Sequence, residues 1–360
     1  MTDDKLMRRA IQLAKKGRGK VSPNPMVGCV VEKDGDIIGE GYHEKFGKAH
    51  AEVVALEKAG SEAENATLYV NLEPCNCHSK TGACTDEIIE AGINKVVTAM
   101  EDPNPEINGQ GIEQLRNAGI EVDVGILEEE AKRLNRGFIK VMKEGRPWLT
   151  LKLALTTDGY IGDSTGKSKW ITSNDSLKYV RDSRARHDSV MVGRGTVMKD
   201  NPSLLPNNKE KFIPYRILID ESLTIPYKVN LVNDDYTDRT IILTADDEKE
   251  KRWNEFEKRH INIVQTNRLD IGWIDLYAGL EDIAEEGVTS IYCEGGGRLA
   301  GSLIERGLVD ELQIFIAPKI IGEGIKSFSG IKKPLDDAIQ LQWNEVKEFG
   351  QDIMLKGKLA

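Results

Sequence analysis

The sequence predicts two α/β domains in tandem, joined near residue 145. Three observations carry this. A chain of 360 residues is longer than one typical domain. Apolar strand-like runs alternate with amphipathic helical runs in both halves. Lys143-Glu144-Gly145-Arg146-Pro147 is a charged Gly/Pro break between two such series. The boundaries expected are 1–145 and 146–360, and the first half is expected to be a three-layer α/β/α domain.

Taken in order, residues 3–17 form an amphipathic helix, with Leu6, Met7, Ala10, Ile11 and Ala14 on one face. Ser22-Pro23-Asn24-Pro25 is a stiff loop leading into an apolar strand that contains Cys29, a core residue. Asp34-Gly35 turns the chain so that Ile37–Glu40 returns as a hairpin partner. The spacing predicts a helix over Lys48–Ala59, with His50 and Glu52 in its first turn and Gly60 as its stop. Leu68–Leu72 reads as a strand, and Cys84 opens a further helix that ends at Ala91-Gly92. A strand at 95–99, a helix at 111–118, a strand at 120–124 and one helix over Glu128–Met142 complete the first half.

The second half opens with a buried strand, Trp148–Leu155. Strands follow at 188–192, 215–219, 240–243, 261–264 and 290–293, then 311–317 and two at the C-terminus. Two strands end in glycine turns: Gly193-Arg194-Gly195-Thr196, and Glu294-Gly295-Gly296-Gly297-Arg298 before a helix over 299–306. A strand, a glycine run and a helix can present amides to a phosphate; a tight turn explains the same glycines. Two such turns at strand carboxyl ends suggest a nucleotide lying across the sheet. Lys152 and Arg184 are candidate anion holders, against a snorkelling lysine and a solvated helix face.

Composition excludes several classes. The net charge of −10 argues against a polyanion-binding surface. The start has no apolar signal core, and no run approaches a membrane span. Five cysteines, an odd number, make no disulfide framework, so a cytoplasmic location is expected.

The chemistry concentrates in His50-Ala51-Glu52, Glu73-Pro74-Cys75 and Cys84. This order has the form of a zinc-dependent deaminase signature. One imidazole and two thiolates give three protein ligands, leaving the fourth tetrahedral position for the water whose pKa the metal lowers. Glu52 would not bind metal; it would move the proton from that water to the leaving nitrogen. A structural zinc with Cys77 or His78 as fourth ligand is the alternative, and it gives Glu52 no purpose. Asn24 and His43 approach this helix from either side of the hairpin.

The whole chain resembles the bifunctional riboflavin-biosynthesis deaminase/reductases. The resemblance rests on Pro23-Asn24-Pro25-x-Val27-Gly28, the zinc motif with its long Cys75–Cys84 gap, and Asp102-Pro103-Asn104-Pro105. In the second half it rests on Asp158-Gly159, Ser168-Lys169-Trp170-Ile171-Thr172, Arg184-Ala185, Val192-Gly193-x-Gly195-Thr196-Val197, Asp200-Asn201-Pro202 and Glu294-Gly295-Gly296. It implies an N-terminal cytidine-deaminase-like domain and a C-terminal dihydrofolate-reductase-like α/β domain. The first would hydrolyse the amino group of 2,5-diamino-6-ribosylamino-4(3H)-pyrimidinone 5′-phosphate. The second would reduce the ribosyl group of the product to ribityl with NADPH. One zinc ion per chain, a homo-oligomer (dimer or tetramer), and no nucleic-acid or membrane partner are expected.

The resemblance also implies roles by position. His50, Cys75 and Cys84 would hold zinc and Glu52 would be catalytic. Asn24, His43 and Lys80 would face the deaminase substrate. Ser168, Arg184, Leu204 and Glu294 would face the reductase substrate. Ala154, Trp170, Thr172, Thr196, Asp200, Ser222 and Gly295, Gly296, Gly297, Arg298, Leu299 and Ala300 would face the cofactor, and Lys152, the anion holder read from the strand itself, is expected to join them. The chain departs from the family pattern at Cys77-His78, where the histidine comes one place late, and at Lys80, which replaces an arginine. It departs again at Leu205-Pro206-Asn207, where the family has Thr-x-Arg. Lys209, two residues beyond, is expected to restore the missing charge beside Arg184 for the substrate phosphate; the alternative is a solvated Lys209 with Asn207 giving a neutral hydrogen bond.

Two rivals differ in class. A nucleic-acid or nucleotide deaminase with a non-catalytic C-terminal half would share the His-x-Glu motif. The acidic balance and the long gap in place of Cys-x-x-Cys weigh against it. A zinc-stabilised binding protein would have no use for Glu52.

Overall fold

The structure is a computed structural model that describes residues 1–76, 82–105, 107–210, 212–246, 250–269 and 273–360. The chain divides into two compact units, Met1–Gly145 and Arg146–Ala360.

In the first unit the elements are α1 (Asp3–Ala14), β1 (Gly28–Lys33), β2 (Asp36–Tyr42), α2 (Ala51–Ala59), β3 (Thr67–Val70) and α3 (Cys84–Glu90). They continue with β4 (Lys95–Thr98), α4 (Gln110–Asn117), β5 (Glu121–Val124), α5 (Glu128–Leu134) and α6 (Arg136–Glu144). The sheet order is β2-β1-β3-β4-β5. β1 runs antiparallel to both β2 and β3, and the remaining pairs are parallel. Alternate strand residues feed opposite faces. Cys29, Val31, Leu68, Val70 and Val96 pack with α2, α3 and α4. Val30, Tyr69 and Val97 pack with α1, α5 and α6. Helices on both faces of one sheet are the three-layer arrangement.

Two local expectations are corrected here. The helix expected from Lys48 begins at Ala51, and His50 is its extended N-cap residue (φ −74°, ψ 165°) rather than part of the first turn. That conformation leaves the imidazole beside Cys84 instead of packed against the turn. The single helix expected over 128–142 is broken at Asn135 (φ −101°, ψ 18°). The buried Asn135 amide leaves the helical pattern to bond across to Met26, accepting from its N–H (2.9 Å) and donating to its C=O (3.0 Å).

The second unit contains β6 (Trp148–Thr156), β7 (Tyr160–Asp163), α7 (Asn174–Arg184), β8 (Ser189–Gly193), α8 (Arg194–Asp200), β9 (Tyr215–Ile219) and β10 (Thr240–Thr244). Then come α9 (Glu250–Glu257), β11 (Asn262–Gln265), α10 (Leu276–Glu285), β12 (Ser290–Cys293), α11 (Gly297–Glu305), β13 (Glu311–Ala317), β14 (Gly324–Lys326), β15 (Leu341–Phe349) and β16 (Asp352–Leu359). Nine strands form one sheet in the order β11-β10-β9-β8-β12-β6-β13-β16-β15. It is parallel except at the last two strands. Met191, Ile217, Ile241 and Leu243 face one core and Val190, Val192, Leu218 and Ile242 the other. β7 pairs with β14 as a separate ribbon.

Candidate active sites

The first site gathers at the N-terminal ends of α2 and α3. Gly41 on β2 lets α2 lie close: a Cβ there would overlap the carbonyl oxygen of Ala51. His50 Nδ1 lies 3.1 Å from Cys84 Sγ and 3.5 Å from Cys75 Sγ. The three donor atoms lie within 4.8 Å of one another. Cys84 donates to Cys75, which brings the Cys75 thiol down to about 4 and holds that of Cys84 up. The bond to Cys75 raises His50 above its ordinary value.

Glu52 is 3% exposed, and its Oε2 has no hydrogen-bond partner. Burial first, and then the charge of Cys75, push its carboxyl up to about 7. A buried acceptor of this kind beside a nitrogen–sulfur donor set fits a soft-to-borderline metal carrying a water that Glu52 can deprotonate.

Asn24 and His43 join this site. The rings of His43 and His50 meet edge to face at 5.5 Å between centroids. His43 Nδ1 lies 3.1 Å from the Ala49 carbonyl, which can only accept, so Nε2 is the acceptor for the Asn24 amide at 3.4 Å. Burial lowers the His43 pKa, in keeping with that neutral tautomer. Lys80, with Cys77 and His78, lies outside the described residues.

Glu73 is the residue whose part sequence reasoning missed. Its Oε2 accepts from the N–H of Asp102 (2.9 Å) and Gly109 (3.0 Å). Its Oε1 accepts from Gly111 (2.9 Å) and Ile112 (3.2 Å). One carboxylate thus ties the segment carrying Cys75 to the N-terminal end of α4. The Glu-Pro-Cys run was visible, but its partners are up to 39 residues away. Asp102, beside it, is pushed up to about 6, chiefly by burial.

The second site lies at the carboxyl ends of adjacent parallel strands β8 and β12. α8 and α11 start there, and Gly296 faces the Thr196 hydroxyl. Arg184 and Glu294 form a two-pronged pair, Nε–Oε1 2.6 Å and Nη2–Oε2 3.0 Å. Arg184 Nη1 also donates to the Leu205 carbonyl at 2.8 Å. Burial raises the Glu294 carboxyl, but Arg184 outweighs this and holds it below the usual carboxylate range. Lys152 reaches the same cluster from β6. Burial lowers its pKa, and the charge of Glu294 opposes that.

Ser168 donates to Asp200 at 3.0 Å, so two further expected residues meet. Trp170 (φ 70°) and the buried Leu204 (φ 56°) hold left-handed backbone that bulky side chains rarely adopt. Thr172 is buried and Ala154 half-buried on β6, while Ser222 and Arg298 are exposed. Leu299 packs beneath Gly193 and Gly295. Ala300 turns its methyl into the core. Gly297 serves a close approach: a Cβ would overlap the Lys326 carbonyl oxygen, and Ser329 donates its N–H to Gly297.

Lys209 lies with its Nζ 5.5 Å over the Tyr236 ring. Asn207 donates to the Lys178 carbonyl (3.1 Å) and Asp182 Oδ1 (2.8 Å), both on α7. It closes one side of an open groove of about 470 Å³ that Trp170, Lys178 and Arg181 also line. Lys178 and Arg181, three apart on one face of α7, place two cations along this groove, which the sequence analysis did not single out.

Residues 1–100 match the family described as cytidine and deoxycytidylate deaminase zinc-binding region, and residues 147–355 match the RibD C-terminal domain. The chain is 41% identical to the riboflavin biosynthesis protein RibD of Aquifex aeolicus over 98% of this chain and 97% of that one. It is 38% identical to RibD of Escherichia coli over 99% of each. Among solved structures, Acinetobacter baumannii RibD superposes with a TM-score of 0.89 at 33% identity, covering 99% of both chains. The Thermotoga maritima diaminohydroxyphosphoribosylaminopyrimidine deaminase/5-amino-6-(5-phosphoribosylamino)uracil reductase does so at 0.87 and 36%, again covering 99% of both.

Proposed function

The chain belongs to the RibD family, the zinc- and NADPH-dependent deaminase/reductases of riboflavin biosynthesis, and from that premise we propose how its residues divide the two reactions. The division falls at residue 145, with deamination in 1–145 and reduction in 146–360.

In the first unit His50 Nδ1, Cys75 Sγ and Cys84 Sγ would hold the zinc ion, which would supply Lewis acidity to a bound water. Glu52 Oε2 takes a proton and returns it to the departing amine, and its burial, which favours the protonated form, suits it to that exchange. Asn24 and His43 orient the pyrimidinone, His43 with Nε2 as a fixed acceptor. Lys80 is proposed to face the substrate as a cation. The observation that carries this reading is the buried, unpartnered Glu52 oxygen beside three convergent donors.

In the second unit Thr196 and the Gly295–Gly297 turn, at the carboxyl ends of β8 and β12, would hold the cofactor. NADPH supplies the hydride when bound. Ser168, Leu204 and Glu294 shape the sugar pocket, and Lys152 presents a buried ammonium toward it. Arg184 positions Glu294 and the Leu205 carbonyl. Arg181, close enough to Glu294 to lower its pKa, and Lys178 are the groove cations that receive the substrate phosphate. Lys209 reaches that phosphate only by leaving Tyr236.

The net charge of −10 supports a small-molecule substrate over nucleic acid. No helix among the described residues is long and apolar enough to cross a membrane. A cytoplasmic location is supported by the four described cysteines being free. A homo-oligomer is part of the same reading.

The test is incubation with 2,5-diamino-6-ribosylamino-4(3H)-pyrimidinone 5′-phosphate, with and without NADPH, reading products by mass. Deaminated product alone should form without NADPH, and its ribityl form with it. A nucleic-acid deaminase would leave this substrate untouched.

A further inference from the structure

Lys319 follows β13 and is exposed, yet its ammonium is committed to backbone. Nζ donates to the Trp170 carbonyl at 2.8 Å and to the Ile171 carbonyl at 2.8 Å. Two charge-assisted bonds to consecutive carbonyls fix both peptide planes between Trp170 and Thr172.

Trp170 is where such a hold matters. Its φ of 70° is left-handed, a conformation that costs a bulky residue free energy and persists only where the surroundings impose it. Trp170 is 64% exposed, so burial of its indole does not impose it. The turn around it is tied at both ends. Ser168 donates to Asp200 at 3.0 Å, and Ser173 caps α7, its hydroxyl accepting from the Ser176 N–H. Lys319 holds the middle. Trp170 in turn lines the groove shared with Lys178, Arg181 and Asn207.

Lys319 is itself placed by the turn between β6 and β7. Thr157 donates its N–H to the Lys319 carbonyl at 2.8 Å and its hydroxyl to the Ala317 carbonyl at 2.8 Å. Asp158 Oδ2 accepts from the N–H of Ile321 (3.0 Å) and Gly322 (2.7 Å). The Tyr160 hydroxyl donates to the Gly322 carbonyl at 3.2 Å. Segment 317–322 is thus gripped along its length, and β14 beyond it pairs with β7. A lysine on so fixed a backbone loses less freedom in reaching its two carbonyls.

We infer that Lys319 is a positioning residue of the reductase: it holds the Trp170 and Ile171 carbonyls, fixes the left-handed turn, and so sets the Trp170 indole against the cofactor. This rests on the reading that Trp170 faces NADPH and adds the residue that places it.

The test is a double-mutant cycle read in NADPH KM and kcat, with deaminated substrate saturating. Lys319→Met keeps most of the stem and removes the donors. It should raise the NADPH KM about ten-fold and change kcat little, as loss of binding shared by ground and transition states does. Lys319→Arg keeps the charge and the donors and should restore most of the affinity. Trp170→Gly removes the indole and takes the left-handed turn without strain. It should raise the NADPH KM by itself, and adding Lys319→Met should raise it no further. Deaminase turnover should be unchanged throughout. A normal KM in Trp170→Gly would overturn the cofactor reading of Trp170 and this inference together. A raised KM in Trp170→Gly with a normal one in Lys319→Met would overturn the inference alone. Additive increases would show that Lys319 does not act through the indole. A fall in kcat and melting temperature in both Lys319 variants would leave it a structural role only, and overturn the inference as well.

Discussion

Arg184 and Glu294 neutralise each other inside the reductase unit, 14% and 11% exposed and joined at 2.6 Å. The arginine that sequence suggests for an anion therefore arrives already paired. Removing one member leaves a buried charge, which costs roughly 3–5 kcal/mol. Glu294→Ala should lower the unfolding free energy of this unit by about that much, read by denaturant titration. Arg184→Met with Glu294→Leu should recover only part of the loss, since the buried Lys152 also loses the charge of Glu294, while reductase activity stays absent.

The same pair fixes a pH dependence. The Glu294 carboxyl lies below its ordinary value of 4.5 in the folded protein. A depressed acid contributes stability that is full above the unfolded value and lost as pH falls through the folded one. The melting temperature of the reductase unit should drop as pH falls below about 4.5. In Glu294→Gln this part of the drop should vanish.

Glu52→Gln should keep stoichiometric zinc and lose deamination by about 10²–10⁴-fold, the usual worth of a positioned proton carrier. Zinc is read by elemental analysis and turnover by product mass. Reductase turnover on deaminated substrate should not change. A variant that purifies without metal would show that Glu52 holds the ion rather than the proton.

Cys77→Ser should keep one zinc per chain and most deaminase activity, because His50, Cys75 and Cys84 already leave one position for water. Cys84→Ser should lose the metal. Retention by the second and loss by the first would reverse the ligand assignment.

A charge-assisted contact is worth about 1.5–3 kcal/mol. Arg181→Ala should therefore raise the reductase KM for its phosphorylated substrate about ten-fold or more with NADPH saturating. Lys209→Ala should move it little, since that ammonium sits on Tyr236. The opposite order would return the phosphate to Lys209.

Sequence made the layers and the cluster of His50, Cys75 and Cys84 legible because both follow local rules: period-two burial in strands, and donor types in a fixed order. Several features lay outside that reach. Glu73 acts through four amides that fold back to it. Asn135 breaks a helix for the sake of Met26, which no helical periodicity can announce. Gly297 reads as a phosphate turn, yet its missing side chain admits the backbone of Lys326. α9 and α10 carry their apolar residues among many charges, and no strong start signal announces α9. The groove beside α7 depends on Asn207 reaching back to Lys178 and Asp182.

The latch between Asn135 and Met26 bears on how far the catalytic unit extends along the chain. The zinc-binding match ends at residue 100, and a fragment cut there would retain His50, Glu52, Cys75 and Cys84. It would also strip the Met26 N–H and C=O of their Asn135 partners. The loop that aims Asn24 at His43 would then lose part of its anchorage, at roughly 0.5–1.5 kcal/mol for each bond. The same cut would remove the four amides that hold Glu73 beside Cys75, so an excised deaminase must run past Ile112 to anchor its cysteine loop and past Asn135 to anchor its substrate loop.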